Sequence, residues 1–235
     1  MELTLDRRIE KLVEWLRTSR YPVFFTGAGI STDSGLPDFR GPEGLWTRQD
    51  KGLGPPPAAK PWRSAEPNQS HFALVELQKL GKLEFLISQN VDNLHLKSGI
   101  GPERLAELHG NMSKLRCSKC EKAVDRSLNK SACSCGGALV PSVVNFGQSL
   151  PQRDVFLSYE NSRKSDLFVV VGSSLVVTPA ADMPFEALRA GAKLVIINAG
   201  ETPLDRGAHL RFHERIGDVL PPVVEKLRTS TQMPH

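Results

Sequence analysis

The chain has 235 residues, with 30 Lys and Arg against 26 Asp and Glu and a formal net charge of +4. At 40% hydrophobic and 24% charged residues it has ordinary globular composition, enough for one large domain or a domain with a small insert. No apolar run approaches the roughly 20 residues that cross a bilayer, the N-terminus has acidic residues within it and resembles no targeting peptide, and the basic residues are scattered, so a soluble cytoplasmic protein with no membrane or nucleic-acid partner is expected.

In chain order, Leu5, Ile9, Leu12, Val13 and Leu16 recur at helical spacing and predict an amphipathic helix over 5–18 with Thr4 as N-cap. Tyr21-Pro22 ends it, and Val23–Phe25 reads as a short buried strand that empties into Gly27-Ala28-Gly29. A poorly periodic stretch to Pro67 follows, with Pro55-Pro56-Pro57 inside it; next to a glycine turn, such a stretch reads as a cofactor lid. Asn68–Leu80 predicts a helix closed by Gly81, Leu83–Ser88 a buried strand, Leu94–Lys97 a helical turn and Leu105–Leu108 a third strand ending at His109. Beyond the cysteine-bearing region 111–147, Pro151–Arg163 and Ala180–Ala190 read as helices, and Leu167–Val171 and Leu194–Ile197 as buried strands. Leu210–Phe212 reads as an edge strand and Asp218–Leu227 as a last helix interrupted by Pro221-Pro222, with a disordered tail from Thr229. This alternation predicts an α/β fold, a Rossmann-like doubly wound parallel sheet with a small inserted zinc-binding module.

Ligands bind outside the carboxyl ends of such strands. The polar clusters Gly27–Ser31, Gln89–Asp92, His109, Gly172–Ser174 and Asn198–Gly200 all fall at predicted strand ends and so converge on one crevice. The first turn lacks the third glycine of G-x-G-x-x-G, and the second strand ends in Gln89-Asn90 where a dehydrogenase places an acid, which weighs against hydride transfer. Taken alone, Gly-Ala-Gly is equally a tight strand-to-helix turn. Asn90 and Asp92, two apart, face one side of an extended segment, though an Asx turn explains them as well. His109 is placed as a general base titrating near neutrality; His71, His95, His209, His213 and His235 lack that context and read as structural or surface residues.

All four cysteines lie in Cys117-x2-Cys120 and Cys133-x-Cys135. Four thiolates suit one tetrahedral Zn²⁺ without an open position, hence a structural metal; two disulfides and uncommitted thiols are the other readings.

Together, Gly27-Ala28-Gly29-Ile30-Ser31, Gly35-Leu36-Pro37-Asp38-Phe39-Arg40, Gln89-Asn90-Val91-Asp92, His109-Gly110, the four cysteines, Val144-Asn145-Phe146-Gly147, Gly172-Ser173-Ser174 and Asn198 resemble the sirtuins, NAD-dependent protein-lysine deacylases, in the family's order from residue 21 to about 225. The resemblance implies a discontinuous NAD-binding domain (1–110 and 148–235), a zinc module (111–147) held by Cys117, Cys120, Cys133 and Cys135, and a lid over 41–66. It implies NAD contacts from Gly27, Ala28, Gly29, Ile30, Ser31, Asp38, Phe39, Arg40, Trp46, Gln89, Asn90, Asp92, Gly172, Ser173, Ser174, Asn198, Ala199, Gly200 and Ile216. Backbone donors of Gly27, Ala28 and Gly172–Ser174 would meet the pyrophosphate, Arg40 would lie near the phosphates or nicotinamide, and Ile30 and Asp92 would hold the nicotinamide carboxamide. Phe39, Val144, Asn145, Phe146 and Gly147 would bind acyl-lysine peptides or proteins.

The chemistry implied is attack of the acyl oxygen on C1′ of the nicotinamide ribose. His109, Asn90 and Asp92 are catalytic and His109 is the base, giving nicotinamide, free lysine and O-acyl-ADP-ribose. Asn145 and Gln148 depart from the family pattern for peptide contact. The only tyrosines are Tyr21 and Tyr159, so the Tyr-x-x-Arg of desuccinylating members is missing and no preference for acidic acyl groups is expected. The run Asp38–Trp46 is similar to the branch with a stiff lid. Mono-ADP-ribosyl transfer from the same site is the alternative reading.

Overall fold

The computed structural model describes residues 3–54, 61–145 and 147–231. Six parallel strands form the main sheet in the order β3-β2-β1-β7-β8-β9: β1 (Pro22–Thr26), β2 (Phe85–Ser88), β3 (Leu105–Glu107), β7 (Leu167–Val171), β8 (Lys193–Ile197) and β9 (Leu210–Phe212). β1 and β7 are neighbours although 140 residues of chain lie between the end of β1 at Thr26 and the start of β7 at Leu167, so the order of strands reverses at β1. That reversal is the switch point at which open α/β sheets leave a crevice.

Side-chain alternation assigns the two faces. Phe24, Leu86, Val169, Val171, Val195 and Ile197 pack under α1 (Leu5–Thr18), α3 (Gln69–Lys79) and α7 (Ile216–Thr231). Val23, Phe25, Ile87, Phe168, Val170 and Ile196 pack under α5 (Gln152–Lys164) and α6 (Asp182–Arg189). Being buried on both faces, these strands read as continuous apolar runs. Thr4 caps α1 by accepting from the Arg7 N–H. Asn68 caps α3, accepting from Ser70 and His71 while its own N–H donates to His71 Nδ1.

A second sheet of three antiparallel strands, order β5-β4-β6, is built from β4 (Lys114–Cys117), β5 (Ala123–Asp125) and β6 (Leu139–Pro141). The remaining short helices are α2 (Leu45–Asp50) and α4 (Leu94–Ser98).

Three expectations are corrected. The stretch before Pro67 contains α2 and a 3₁₀ turn at Trp62–Ser64, short elements that periodicity cannot reveal; Pro55-Pro56-Pro57 lies outside the described residues. The last helix runs through Pro221 and Pro222 without interruption and on to Thr231. Two prolines remove two backbone bonds, but Val219, Leu220, Val223, Val224 and Leu227 are buried against α1 and α3, and that packing outweighs the loss. The tail is therefore helical to Thr231, and the rest of it lies outside the described residues. The turn after β1 does lead into a helix, the 3₁₀ helix Ala28–Ser34, closed by Gly35 in the left-handed region at φ 83°.

Behind that turn, His71 and His95 are fully enclosed with ring centroids 5.2 Å apart, and His95 Nε2 lies 2.8 Å from Thr26 Oγ1. Burial holds His71 down to about 3 and His95 down to about 4, against an ordinary value of 6.5. A histidine whose folded pKa is depressed takes up its proton first in the unfolded chain, so stability is lost as pH falls from 6.5 toward those values. Between pH 6 and pH 5 the pair is expected to remove about 2 kcal/mol. Urea midpoints measured at the two pH values test this, and His95→Asn should shrink the difference; an unchanged difference would remove His95 from the account.

Candidate functional site

The carboxyl ends of β1, β2, β3, β7 and β8 open into one cleft of about 1190 Å³. Every NAD, catalytic and peptide residue expected above borders it, apart from Phe146, which lies outside the described residues. It is the tertiary fold that gathers them, from positions as distant as Gly27 and Ile216.

The floor is a loop-on-loop contact. A Cβ at Gly27 would stand 2.7 Å from the Gly172 carbonyl, one at Gly29 would stand 2.8 Å from Gly172 Cα, and Gly172 itself sits at φ 65°. These glycines are required because the β1 and β7 loops press together. Gly27 N–H donates to Val171 O and Gly29 N–H to Gly172 O, so neither N–H is left for a phosphate as expected for Gly27. Ala28, first in its 3₁₀ turn, and Ser173 and Ser174 have backbone N–H groups with no acceptor among the described residues. Those are the donors a diphosphate would meet.

A buried polar network stands beside this floor. Ser31 Oγ donates to Asp92 Oδ2 at 2.7 Å, Asn90 Nδ2 donates to Ser31 Oγ at 3.3 Å, and Leu94 N–H donates to Asp92 Oδ1. The last bond is the Asx turn; the first two show that Asp92 and Asn90 also face a common partner. Asn90 Oδ1 is buried and accepts from no described group. A buried acceptor left open in a cleft costs stability unless a ligand donor fills it, and a ribose hydroxyl is such a donor.

His109 Nδ1 lies 2.9 Å from the Gln89 carbonyl, which only accepts, so Nδ1 carries the proton and Nε2 keeps its lone pair. Burial pulls the imidazole below its usual value, against the upward pull of that carbonyl. Gln89 is wired in turn: its N–H donates to Thr26 O and its Oε1 accepts from Ser173 Oγ at 2.6 Å. One residue thus ties His109 to the end of β1 and the β7 loop.

On the lid side, Phe39 and Trp46 rings lie 4.9 Å apart, and Trp46 N–H donates to Phe39 O. Arg40 borders the cleft, but its guanidinium donates to Asp50 at 2.8 Å and stacks over Trp46. Its charge is paired within the segment that carries α2. Burial raises the Asp38 pKa, opposed by the Gly41 N–H. Val144 N–H donates to the His109 carbonyl, which sets the segment after β6 against His109.

At the end of β8, Asn198 Nδ2 donates to Gly200 O. Arg211, which nothing in the sequence distinguished within its short strand, holds this loop: Nη1 donates to Asn198 O at 2.6 Å, Nη2 to Gly200 O, and Nε to Asp205 at 2.9 Å. Leu150, Val155, Val176 and Val177 also border the cleft and were not singled out. An apolar side chain gives no sign in sequence of facing a cavity instead of a core.

The sulfurs of Cys117, Cys120, Cys133 and Cys135 lie within 4.8 Å of one another, and none is in a disulfide. The pairs 117–135, 120–135 and 120–133 stand at 3.4, 3.4 and 3.7 Å. A tetrahedron with Zn–S bonds of about 2.3 Å has edges of about 3.8 Å, so the four sulfurs fit that ion. Backbone N–H groups of Cys120 and Lys119 draw the Cys117 thiol down to about 6. For Cys135 the Gly137 N–H also lowers, but the three neighbouring sulfurs prevail and push it up to about 12. Four thiolates at this spacing call for a cation. A Cβ at Gly137 would lie 2.5 Å from Cys117 Sγ, so that glycine makes room for the sulfur.

Among the described residues, no helix is long and apolar enough to cross a membrane.

A profile of the Sir2 family matches residues 27–54 and 57–179. The chain is 43% identical over 228 residues to NAD-dependent protein deacetylase SRT1 of Oryza sativa subsp. indica, covering 92% of this chain and 47% of that protein. The chain therefore spans about half the length of this plant relative. It is 41% identical over 249 residues to NAD-dependent protein deacylase 2 of Archaeoglobus fulgidus, covering 95% and 98%. Its fold is similar to a solved Sir2 complex with p53 peptide and NAD⁺, with a TM-score of 0.74 and 35% identity over 93% of this chain and 98% of that one.

Proposed function

The chain belongs to the Sir2 family, and from that premise we propose that it is an NAD-dependent protein-lysine deacylase. The observation that carries the reading is His109, oriented by Gln89 O with its Nε2 lone pair free, beside an Asn90 Oδ1 that accepts from no protein group. A module that only bound nucleotide would have no use for that oriented base.

NAD supplies an electrophilic C1′ once its nicotinamide departs, to which the acyl-lysine oxygen adds. In this reading Ala28, Ser173 and Ser174 N–H groups hold the diphosphate, and the loop tied down by Arg211 seats the adenine ribose. Asn90 Oδ1 accepts from the nicotinamide ribose, while Ser31 and Asp92 keep its amide in place. His109 Nε2 takes the proton of a ribose hydroxyl, and Nδ1–H remains on Gln89 O throughout. Phe39, Trp46 and Val144 keep bulk water from hydrolysing NAD before the acyl oxygen attacks; after the ribose hydroxyl has attacked the acyl carbon, one water supplies the oxygen that releases the lysine amine. The substrates are acyl-lysine peptides or proteins, paired as an added strand along the segment that follows β6.

The four cysteines hold one structural Zn²⁺ in this reading, which leaves the metal no position for substrate. A cytoplasmic location belongs to the same reading; a zinc-held cysteine cluster, with none of the four in a disulfide, is what a reducing compartment favours.

Incubation with NAD and acetyl- or myristoyl-lysine peptides, followed by mass, should yield nicotinamide, free lysine and O-acyl-ADP-ribose. Absence of the last product with every acyl chain would overturn the proposal.

A further inference from the structure

Two charged residues at the cleft mouth have no part in the account above. Asp33 lies in the 3₁₀ turn after β1, and Arg215 lies between β9 and α7. Their side chains meet at 2.7 Å, and both border the cleft. In the sheet order, β7 and β8 separate β1 from β9, so the two strands lie about 14 Å apart at the usual spacing. A contact between the loops that follow them spans the ends of β7 and β8. Those ends carry Ser173 and Asn198, the diphosphate and adenine-ribose positions of the proposed site.

An exposed ion pair is ordinarily incidental, and with side chains 74% and 38% exposed this one adds little stability. Its anchoring argues for more. The Asp33 carboxylate also lies against the start of α7, where a Cβ on Gly217 would be 3.4 Å from Oδ2. That is the positive end of a sixteen-residue helix. On the other side, Arg8 of α1 donates to Arg211 O and to both oxygens of Glu214, the neighbour of Arg215, so the base of the arm is fixed. Two rigid supports joined by one weak bond make a latch.

We propose that Asp33 and Arg215 form a strap across the adenosine half of the cleft, one that must open for a nucleotide diphosphate to enter or leave. This rests on the NAD reading of the cleft. The pair controls the rate of exchange, and affinity very little, because a gate slows both directions alike. Arg215 also neutralises Asp33, which would otherwise repel the diphosphate at the entrance.

The test is stopped-flow tryptophan fluorescence with ADP-ribose, read through Trp46 and Trp62 at the cleft. In Asp33→Asn, association and dissociation rates should both rise about two- to fivefold, with Kd nearly unchanged. Raising NaCl should quicken dissociation from the unaltered protein and leave that from the variant nearly constant. Rates in Asp33→Asn equal to those of the unaltered protein would overturn the strap. So would a rise in dissociation alone, which would make the pair a ligand contact. If the unaltered protein binds no ADP-ribose, the nucleotide reading itself fails, and that outcome is distinct from both.

Discussion

His109→Ala is expected to lower acyl transfer about 10²- to 10⁴-fold, the range a positioned general base supplies. ADP-ribose should still bind, because the floor glycines and the Arg211-held loop do not touch the imidazole. The pH dependence should carry the signature of this base. Burial lowers its pKa below 6.5, so the neutral form persists to lower pH than in a free histidine. The acid limb of kcat/KM should therefore fall below pH 6.5, and His109→Ala should abolish that limb. Turnover within tenfold of the unaltered enzyme, or an acid limb centred above pH 6.5, would remove His109 from its role.

Loss of the proposed Zn²⁺ is the second large effect. Structural Zn²⁺ contributes about 10–16 kcal/mol of binding free energy to small cysteine modules, and this becomes folding free energy. The sheet β5-β4-β6 has little else to hold it: Ala123, Asp125 and Val140 are exposed, and only Cys117 and Cys133 of the four ligands are buried. Cys117→Ser should therefore abolish stoichiometric zinc and expose β4–β6 to hydrogen exchange, while the main sheet stays protected by its two apolar layers. The loss should reach the cleft through Glu121. This residue sits at φ 57° in the cysteine knuckle, and its carboxylate accepts from the Gln152 and Arg153 N–H groups at the start of α5. Gln152 and Val155 of α5 border the cleft, so acyl transfer should fall with the metal. Far less than one zinc per chain in the unaltered protein, or unchanged exchange in Cys117→Ser, would overturn the account.

Much of the site was readable because its residues are chemically conspicuous and sit at strand ends. Gly27-Ala28-Gly29, Gln89–Asp92, His109 and Gly172–Ser174 each interrupt an apolar run with polar or small residues, and a doubly wound sheet has one place for them to go. Reasons were harder to read than positions. Gly27 and Gly29 suggested backbone approach to a ligand, and the structure shows approach to Gly172. Arg40 was expected near the phosphates or nicotinamide; it does border the cleft, with its guanidinium also donating to Asp50. Arg211 and the Asp33–Arg215 pair were invisible, since an arginine in a three-residue strand and an exposed aspartate look like any solvated surface.

By itself the sequence determined the alternation of strands and helices, the cysteine spacing and the placement of His109 at a strand end, because these rest on local periodicity and on side-chain chemistry. Tertiary structure decided what packing alone can decide. Burial of Val219, Leu220, Val223 and Val224 carried α7 through two prolines. The strand order placed β7 and β8 between β1 and β9, and so put Asp33 within reach of Arg215 across 182 positions of chain. Partners so distant in sequence leave no local pattern, since they meet only after the sheet has closed its order.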